Sequence, residues 1–96
     1  MLDTKELTIG QFVRSKAGRD KGRVFIIVDV IDDQYVLVAD GDLRRIGNPK
    51  KKKVKHLAKF NLISELIVRR NNQNLTVTNL MLRTEIDKLE TDRPME

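Results

Sequence analysis

The chain has 96 residues and a formal net charge of +5, with 19 lysines and arginines against 14 acidic side chains. It has no cysteine, which excludes disulfide bridges and cysteine-ligated metal sites. The longest apolar run, residues 24–28, is far shorter than the roughly 20 residues that a helix needs to cross a bilayer. The acidic start of the chain does not resemble a secretory signal, so we expect a cytoplasmic protein without a membrane partner.

The first sixty residues have the pattern of short β-strands separated by turns. A glycine-rich turn is predicted at residues 16–22, where Gly18 and Gly22 can adopt positive φ. The pair Asp40-Gly41 predicts a tight hairpin, after which the chain pairs back on the preceding strand. β-branched and apolar residues place the predicted strands at 9–15, 23–31, 34–39, 42–46 and 54–60.

The last third of the chain changes to a helical period. Ser64 is predicted to cap a short helix over 65–70, and a second helix runs from Thr78 or Asn79 to about Thr91. The second helix carries an apolar stripe with i, i+4, i+7 spacing, formed by Leu82, Ile86 and Leu89. This stripe favours core packing, and the alternative is docking on a partner protein.

Together these patterns predict a mainly β fold with an α-helical C-terminal tail. Several short antiparallel strands within about fifty residues cannot form two flat sheets, and a small bent barrel removes their exposed edges. The predicted architecture is therefore an SH3-like barrel domain over residues 1–60, followed by two short helices over 61–96 that pack on the barrel.

The positive charge is concentrated before residue 60. Residues 1–60 carry a net charge of +6, and residues 61–96 carry −1. Such a density of cations favours a polyphosphate partner, whereas the alternative is a flexible, solvated lysine-rich loop that only aids solubility. One cluster comprises Arg14, Lys16, Arg19, Lys21 and Arg23. The other comprises Arg44, Arg45, Lys50, Lys51, Lys52, Lys53, Lys55 and Lys59.

Two blocks of sequence resemble known RNA-binding proteins. Residues 10–22 (GQFVRSKAGRDKG), followed by an apolar strand, resemble the KOW motif of ribosomal proteins and transcription elongation factors. Residues 35–45 (YVLVADGDLRR) and 49–57 (PKKKKVKHL) look like the fourteen-e family of large-subunit ribosomal proteins and its small bacterial relatives. The resemblance implies an SH3-like barrel of KOW type that binds ribosomal RNA on the large ribosomal subunit.

The resemblance assigns RNA contact to the glycine-rich turn and to the basic strand ends. A glycine-rich turn lets backbone N–H groups approach phosphate, and the Arg19 guanidinium can bind two phosphate oxygens at once. One of Arg44 and Arg45 is expected to face this surface, and the other to pair with Asp40 or Asp42. The predicted RNA-binding residues are Lys16, Gly18, Arg19, Lys21, Arg44, Arg45, Lys50, Lys51, Lys52, Lys53, Lys55 and His56.

The aromatic residues give little support for base recognition. The three phenylalanines lie in apolar strands and are expected in the core, so only Tyr35 remains a candidate for base stacking. His56 stands alone, and the sequence has no catalytic or phosphate-loop motif. We therefore expect no enzyme activity, no cofactor and no small-molecule substrate. The alternative function is a protein-interaction module of the elongation-factor type.

Overall fold

The protein folds into a five-stranded antiparallel sheet followed by two helices. The computed structural model describes residues 6–92. Residues 1–5 and 93–96 lie outside it, and the prediction that the chain has no secretory signal falls partly on residues 1–5. This architecture confirms the predicted mainly β class with a helical C-terminal part. The elements are β1 Gln11–Ser15, β2 Val24–Val30, β3 Tyr35–Ala39, β4 Lys50–Lys53, a 3-10 helix Val54–His56, β5 Leu57–Ile63, α1 Glu65–Asn72 and α2 Asn79–Asp92.

The sheet is strongly curved. Its strand order is β4-β3-β2-β1-β5, so two strands separate β4 from β1. Neighbouring strands lie about 4.8 Å apart, which would hold β4 and β1 about 14 Å apart in a flat sheet. Nevertheless Lys52 Nζ of β4 lies 3.2 Å from Ser15 Oγ of β1. Over residues 6–92 no strand pairing joins β4 to β5, and the closed SH3-like barrel stays a prediction.

Two apolar clusters cover the two faces of the sheet. The concave face carries Leu7, Val13, Phe25, Ile27, Val36, Val38, Val54 and Leu57. On the opposite face, the side chains of the strands pack against the helices and form a cluster of Phe12, Val24, Ile26, Ala39, Ile67, Leu82, Ile86 and Leu89. β2 contributes to both clusters, so its first half is covered on both faces.

Local signals position the helices as expected. Ser64 Oγ accepts a hydrogen bond from the Ile67 N–H at 3.3 Å and donates to Glu85 Oε1 at 2.6 Å, so one hydroxyl caps α1 and fastens it to α2. Thr78 Oγ1 accepts from the Met81 N–H and caps α2. The predicted apolar stripe of α2 is buried against the sheet. Neither helix of the described chain is long and apolar enough to span a membrane.

The predicted strand at 42–46 is wrong, because residues 40–49 form an irregular loop and β3 pairs with the lysines of β4 instead. The start of α2 holds this loop: Asn79 Oδ1 accepts a hydrogen bond from the Ile46 N–H at 2.7 Å, and Arg83 donates to the Gly41 carbonyl at 2.6 Å. These contacts come from a part of the chain more than thirty residues away. β5 also continues to Ile63, three residues past the predicted boundary of the first domain.

Candidate nucleic-acid interface

The glycine-rich turn and the 3-10 helix bring the two basic clusters into contact. The Lys16 N–H donates a hydrogen bond of 2.8 Å to the carbonyl of His56. The side chains on both sides of this contact are exposed to solvent. We call the exposed cations and the imidazole that meet here the basic surface: Lys16, Arg19, Lys21, Lys55 and His56.

The glycine-rich turn has the conformation that the sequence predicts. Gly18 has φ +85° and Gly22 has φ +89°, both in the region that side chains other than glycine rarely adopt. Beneath the turn, the Lys52 ammonium donates to Asp20 Oδ1 at 2.7 Å and to the Ala17 carbonyl at 3.3 Å. A buried ion pair thus fastens the turn to β4, and the exposed side chains of Arg19 and Lys21 stand on a fixed support.

The electrostatics of Asp20 follow from this contact. Burial raises the pKa of the carboxyl, but the hydrogen bond and charge of Lys52, together with the Ser15 hydroxyl, outweigh it. The pKa of Asp20 therefore lies below its ordinary value of 3.8, and the carboxylate is ionised at neutral pH.

The four-lysine run is a strand, so the alternative of a flexible, solvated lysine-rich loop is wrong for residues 50–53. Successive side chains of a strand point to opposite faces. Lys52 lies opposite the buried Val36, points to the concave side and is only 8% exposed. Because Asp20 neutralises its charge inside the protein, we leave Lys52 out of the basic surface. Its role is to hold the turn.

The alternate lysines of β4 contact an aromatic ring. Lys51 Nζ lies 4.6 Å and Lys53 Nζ lies 5.9 Å from the centroid of the Tyr35 ring, on the outer side of the strand. Tyr35 pairs with Lys53 in the register of β3 and β4. These two cations thus lie close to the one aromatic residue that the sequence offered for base stacking.

The predicted ion pair of Arg44 or Arg45 with Asp40 or Asp42 is wrong, because a different arginine binds these carboxylates. Arg23 instead donates to Asp40 Oδ2 and, at 3.0 Å, to Asp42 Oδ2. The hydrogen bond that Arg23 donates to the Asp40 carboxylate raises the pKa of Arg23. Burial raises the pKa of Asp40, but Arg23 and the backbone N–H groups of Arg44 and Asp42 outweigh it and lower the pKa below 3.8.

The remaining predicted site residues lie in or beside the loop 40–49. Arg45 is exposed, whereas Arg44 and Lys50 are half-buried. The Arg44 backbone N–H donates to Asp40 Oδ1 at 2.8 Å, which fixes the backbone of the loop. Arg23 links this loop to the end of the glycine-rich turn. The second cluster is therefore divided between the basic surface, the Tyr35 contact and this loop.

Sequence reasoning missed the roles of Asp20, which fixes the glycine-rich turn, and of Arg23, which fixes the loop 40–49. Alternate side chains of four lysines on a strand must point inward, where a carboxylate is needed, but the sequence does not mark residues 50–53 as a strand. No local signal exists for Arg23 either, whose partners lie 17 and 19 residues away. Between residues 6 and 92 no group of three or more His, Cys, Asp or Glu side chains could hold a metal ion.

Comparison with known proteins shows that the sequence is similar to that of a small bacterial protein. No model of a protein family matches the sequence. The chain is 31% identical over 71 residues to "Putative ribosome-binding protein YbzG" of Bacillus subtilis (strain 168). This match covers 74% of the chain and 96% of the relative. The chain belongs to the YbzG family. Since almost the whole of YbzG is matched, the similarity extends well beyond one glycine-rich motif.

Proposed function

We propose that this protein binds the ribosome and that its basic surface contacts the phosphate backbone of ribosomal RNA. The observation that carries the proposal is the hydrogen bond between Lys16 and His56, which joins the exposed cations of two sequence clusters. The name of the relative, "Putative ribosome-binding protein YbzG", supports the same partner. The resemblance of residues 9–57 to the fourteen-e proteins favours the large subunit, and the cytoplasm as the location.

The chemistry of the basic surface suits a phosphate backbone. Arg19 and Lys21 are exposed, and neither forms an ion pair with any residue between 6 and 92. A guanidinium binds two phosphate oxygens, while an ammonium acts as a point charge. With Lys16, Lys55, Lys51 and Lys53, six cations are available to phosphates. The slope of log K against log salt is then about −4 to −5.

The alternative, a protein-interaction module of the elongation-factor type, is less well supported. Its motivation was the apolar stripe of α2, but Leu82 is fully buried and Ile86 and Leu89 are nearly so. We further propose that the protein is a binding protein without catalytic activity and without a cofactor.

Sedimentation with purified ribosomes at low and high salt tests the proposal. The wild-type protein is expected to sediment with ribosomes at low salt and to be released at high salt. The double variant Arg19→Glu/Lys21→Glu should bind at least about tenfold more weakly, with a salt slope smaller by about 2, because each lost phosphate contact removes about one unit.

A matched control changes the same charge elsewhere. Arg69→Glu/Lys88→Glu alters two exposed cations of α1 and α2 and should leave ribosome binding unchanged. Wild-type protein that stays at the top of the gradient at both salt concentrations would refute ribosome binding. If the two double variants bind equally well, the glycine-rich turn is not the contact.

A further inference from the structure

Tyr35 is held rigidly at the start of β3. Its backbone N–H donates to Asp32 Oδ1 at 2.9 Å, and its carbonyl accepts from the Ile31 N–H at 3.0 Å. The residue is half-buried, so Tyr35 is partly exposed to solvent on a strand whose backbone is held by these hydrogen bonds. A ring on a strand is a firmer platform for a ligand than a ring on a loop.

Two lysine side chains contact the Tyr35 ring. Lys51 and Lys53 both come within 6 Å of its centroid, at 4.6 and 5.9 Å, the range of cation–π attraction. Among the described residues neither ammonium forms a salt bridge with a carboxylate. Both charges are therefore available to an incoming anion, in contrast to the neighbouring Lys52.

This aromatic site adjoins the basic surface. Lys53 immediately precedes the 3-10 helix that ends at His56, so their backbones are at most about 10 Å apart. His56 in turn accepts the hydrogen bond from Lys16 of the glycine-rich turn. A nucleic-acid strand that lies along the basic surface can therefore continue past the 3-10 helix to Tyr35.

We infer that Tyr35 is a stacking site for one unpaired base of the bound RNA, with Lys51 and Lys53 binding the phosphates on either side of that nucleotide. The inference rests on the proposed function. On binding, the base takes the exposed part of the ring, and the lysines exchange a weak contact with the ring for stronger contacts with phosphates. The site requires single-stranded RNA, because a paired base is not free to leave its own stack.

Nearby carboxylates determine the path of the RNA over the protein surface. Asp32 and Asp33 lie in the turn before Tyr35, and Asp29 lies opposite Leu37 on β2. Asp32 Oδ1 also accepts the Gln34 N–H and so belongs to the turn itself. Phosphates are repelled on this side and attracted on the β4 side. The RNA strand is therefore expected to run along β4, over Lys51 and Lys53.

The test uses two short RNA probes and two variants of the full chain. One probe is oligouridine; the other is the same ribose–phosphate chain without bases. Tyr35→Leu keeps an apolar side chain but removes the ring, and should weaken oligouridine binding by about ten- to a hundred-fold. Tyr35→Phe keeps the ring and should bind within about twofold of the wild type. All three proteins should bind the baseless probe equally.

A spectroscopic measurement keeps the inference testable if Tyr35→Leu folds poorly. A 2-aminopurine base within the oligouridine should lose fluorescence when it stacks on the wild-type ring. Absence of quenching at saturation would overturn the stacking site, as would equal oligouridine affinity of Tyr35→Leu and wild type. In either case a continued loss of ribosome binding in Arg19→Glu/Lys21→Glu would leave the proposed function standing. Failure of wild-type sedimentation with ribosomes would refute the proposed function instead.

Discussion

Removing one partner of the buried ion pair between Lys52 and Asp20 should greatly lower the free energy of unfolding. The Lys52 side chain is 9% exposed and that of Asp20 is 3% exposed, although Lys52 stands in a run of four lysines. Replacing Lys52 by Met keeps most of the side-chain volume but leaves the Asp20 carboxylate buried without its cation. Lys51→Met removes the same charge from the adjacent, exposed position and serves as the matched control.

The expected magnitudes separate the two variants clearly. Removing one partner of a buried pair costs about 3–5 kcal/mol, because the other charge stays desolvated. The free energy of unfolding of a small domain is only about 5–15 kcal/mol, and each kcal/mol lowers Tm by about 4–8 °C at this size. Lys52→Met should therefore lower Tm by at least about 12 °C. Lys51→Met loses one contact with Tyr35 and should cost about 1 kcal/mol or less.

Urea unfolding followed by far-ultraviolet circular dichroism measures both free energies of unfolding. The double variant Lys52→Met/Asp20→Asn should recover part of the loss, because it leaves no charge buried alone. If Lys52→Met and Lys51→Met differ by less than about 0.5 kcal/mol, Lys52 behaves as a solvated surface lysine. The turn would then lack the support that we describe.

Three further variants test the loop 40–49 and the glycine-rich turn. Gly41→Ala would place a Cβ 2.2 Å from a backbone carbonyl oxygen of α2, at φ +79°, and should cost well over 1 kcal/mol in thermal unfolding. Gly22→Ala, at φ +89° but in open space, should cost only about 1–2 kcal/mol. The lowered pKa of Asp40 stabilises the fold above about pH 3.8 and loses this effect as pH falls through the folded-state value. The difference in unfolding free energy between wild type and Asp40→Asn should therefore shrink in acid; a constant difference from pH 7 to pH 2 would contradict the assigned pair with Arg23.

Local patterns in the sequence predicted most of the strands, the glycine-rich turn and both helices. β2 was recognisable because it has β-branched residues on both faces, and α1 because Ser64 precedes it as a cap. The turn was recognisable because Gly18 and Gly22 have the positive φ that glycine favours. Each of these signals lies within about ten residues of the element that it specifies.

The parts that the sequence did not predict depend on distant contacts. β4 consists entirely of lysines, so no apolar alternation marks it, and its inward position depends on Asp20, 32 residues away. The loop 40–49 is held by the start of α2 rather than by hairpin pairing. Arg23, rather than Arg44 or Arg45, forms the ion pairs with Asp40 and Asp42, because the loop folds back onto the end of the turn. Charge clustering predicted a basic surface but not which cations are neutralised within the fold.

Lysine acetylation of the ribosome-bound protein, read by mass spectrometry, tests the central claim most directly. Lys16, Lys21 and Lys55 should react in the free protein and be protected on the ribosome. Lys88, exposed on α2, should react in both states, and the buried Lys52 should react poorly in both. Protection of Lys88 with unchanged reactivity of the three lysines on the basic surface would contradict the claim that this surface binds the ribosome.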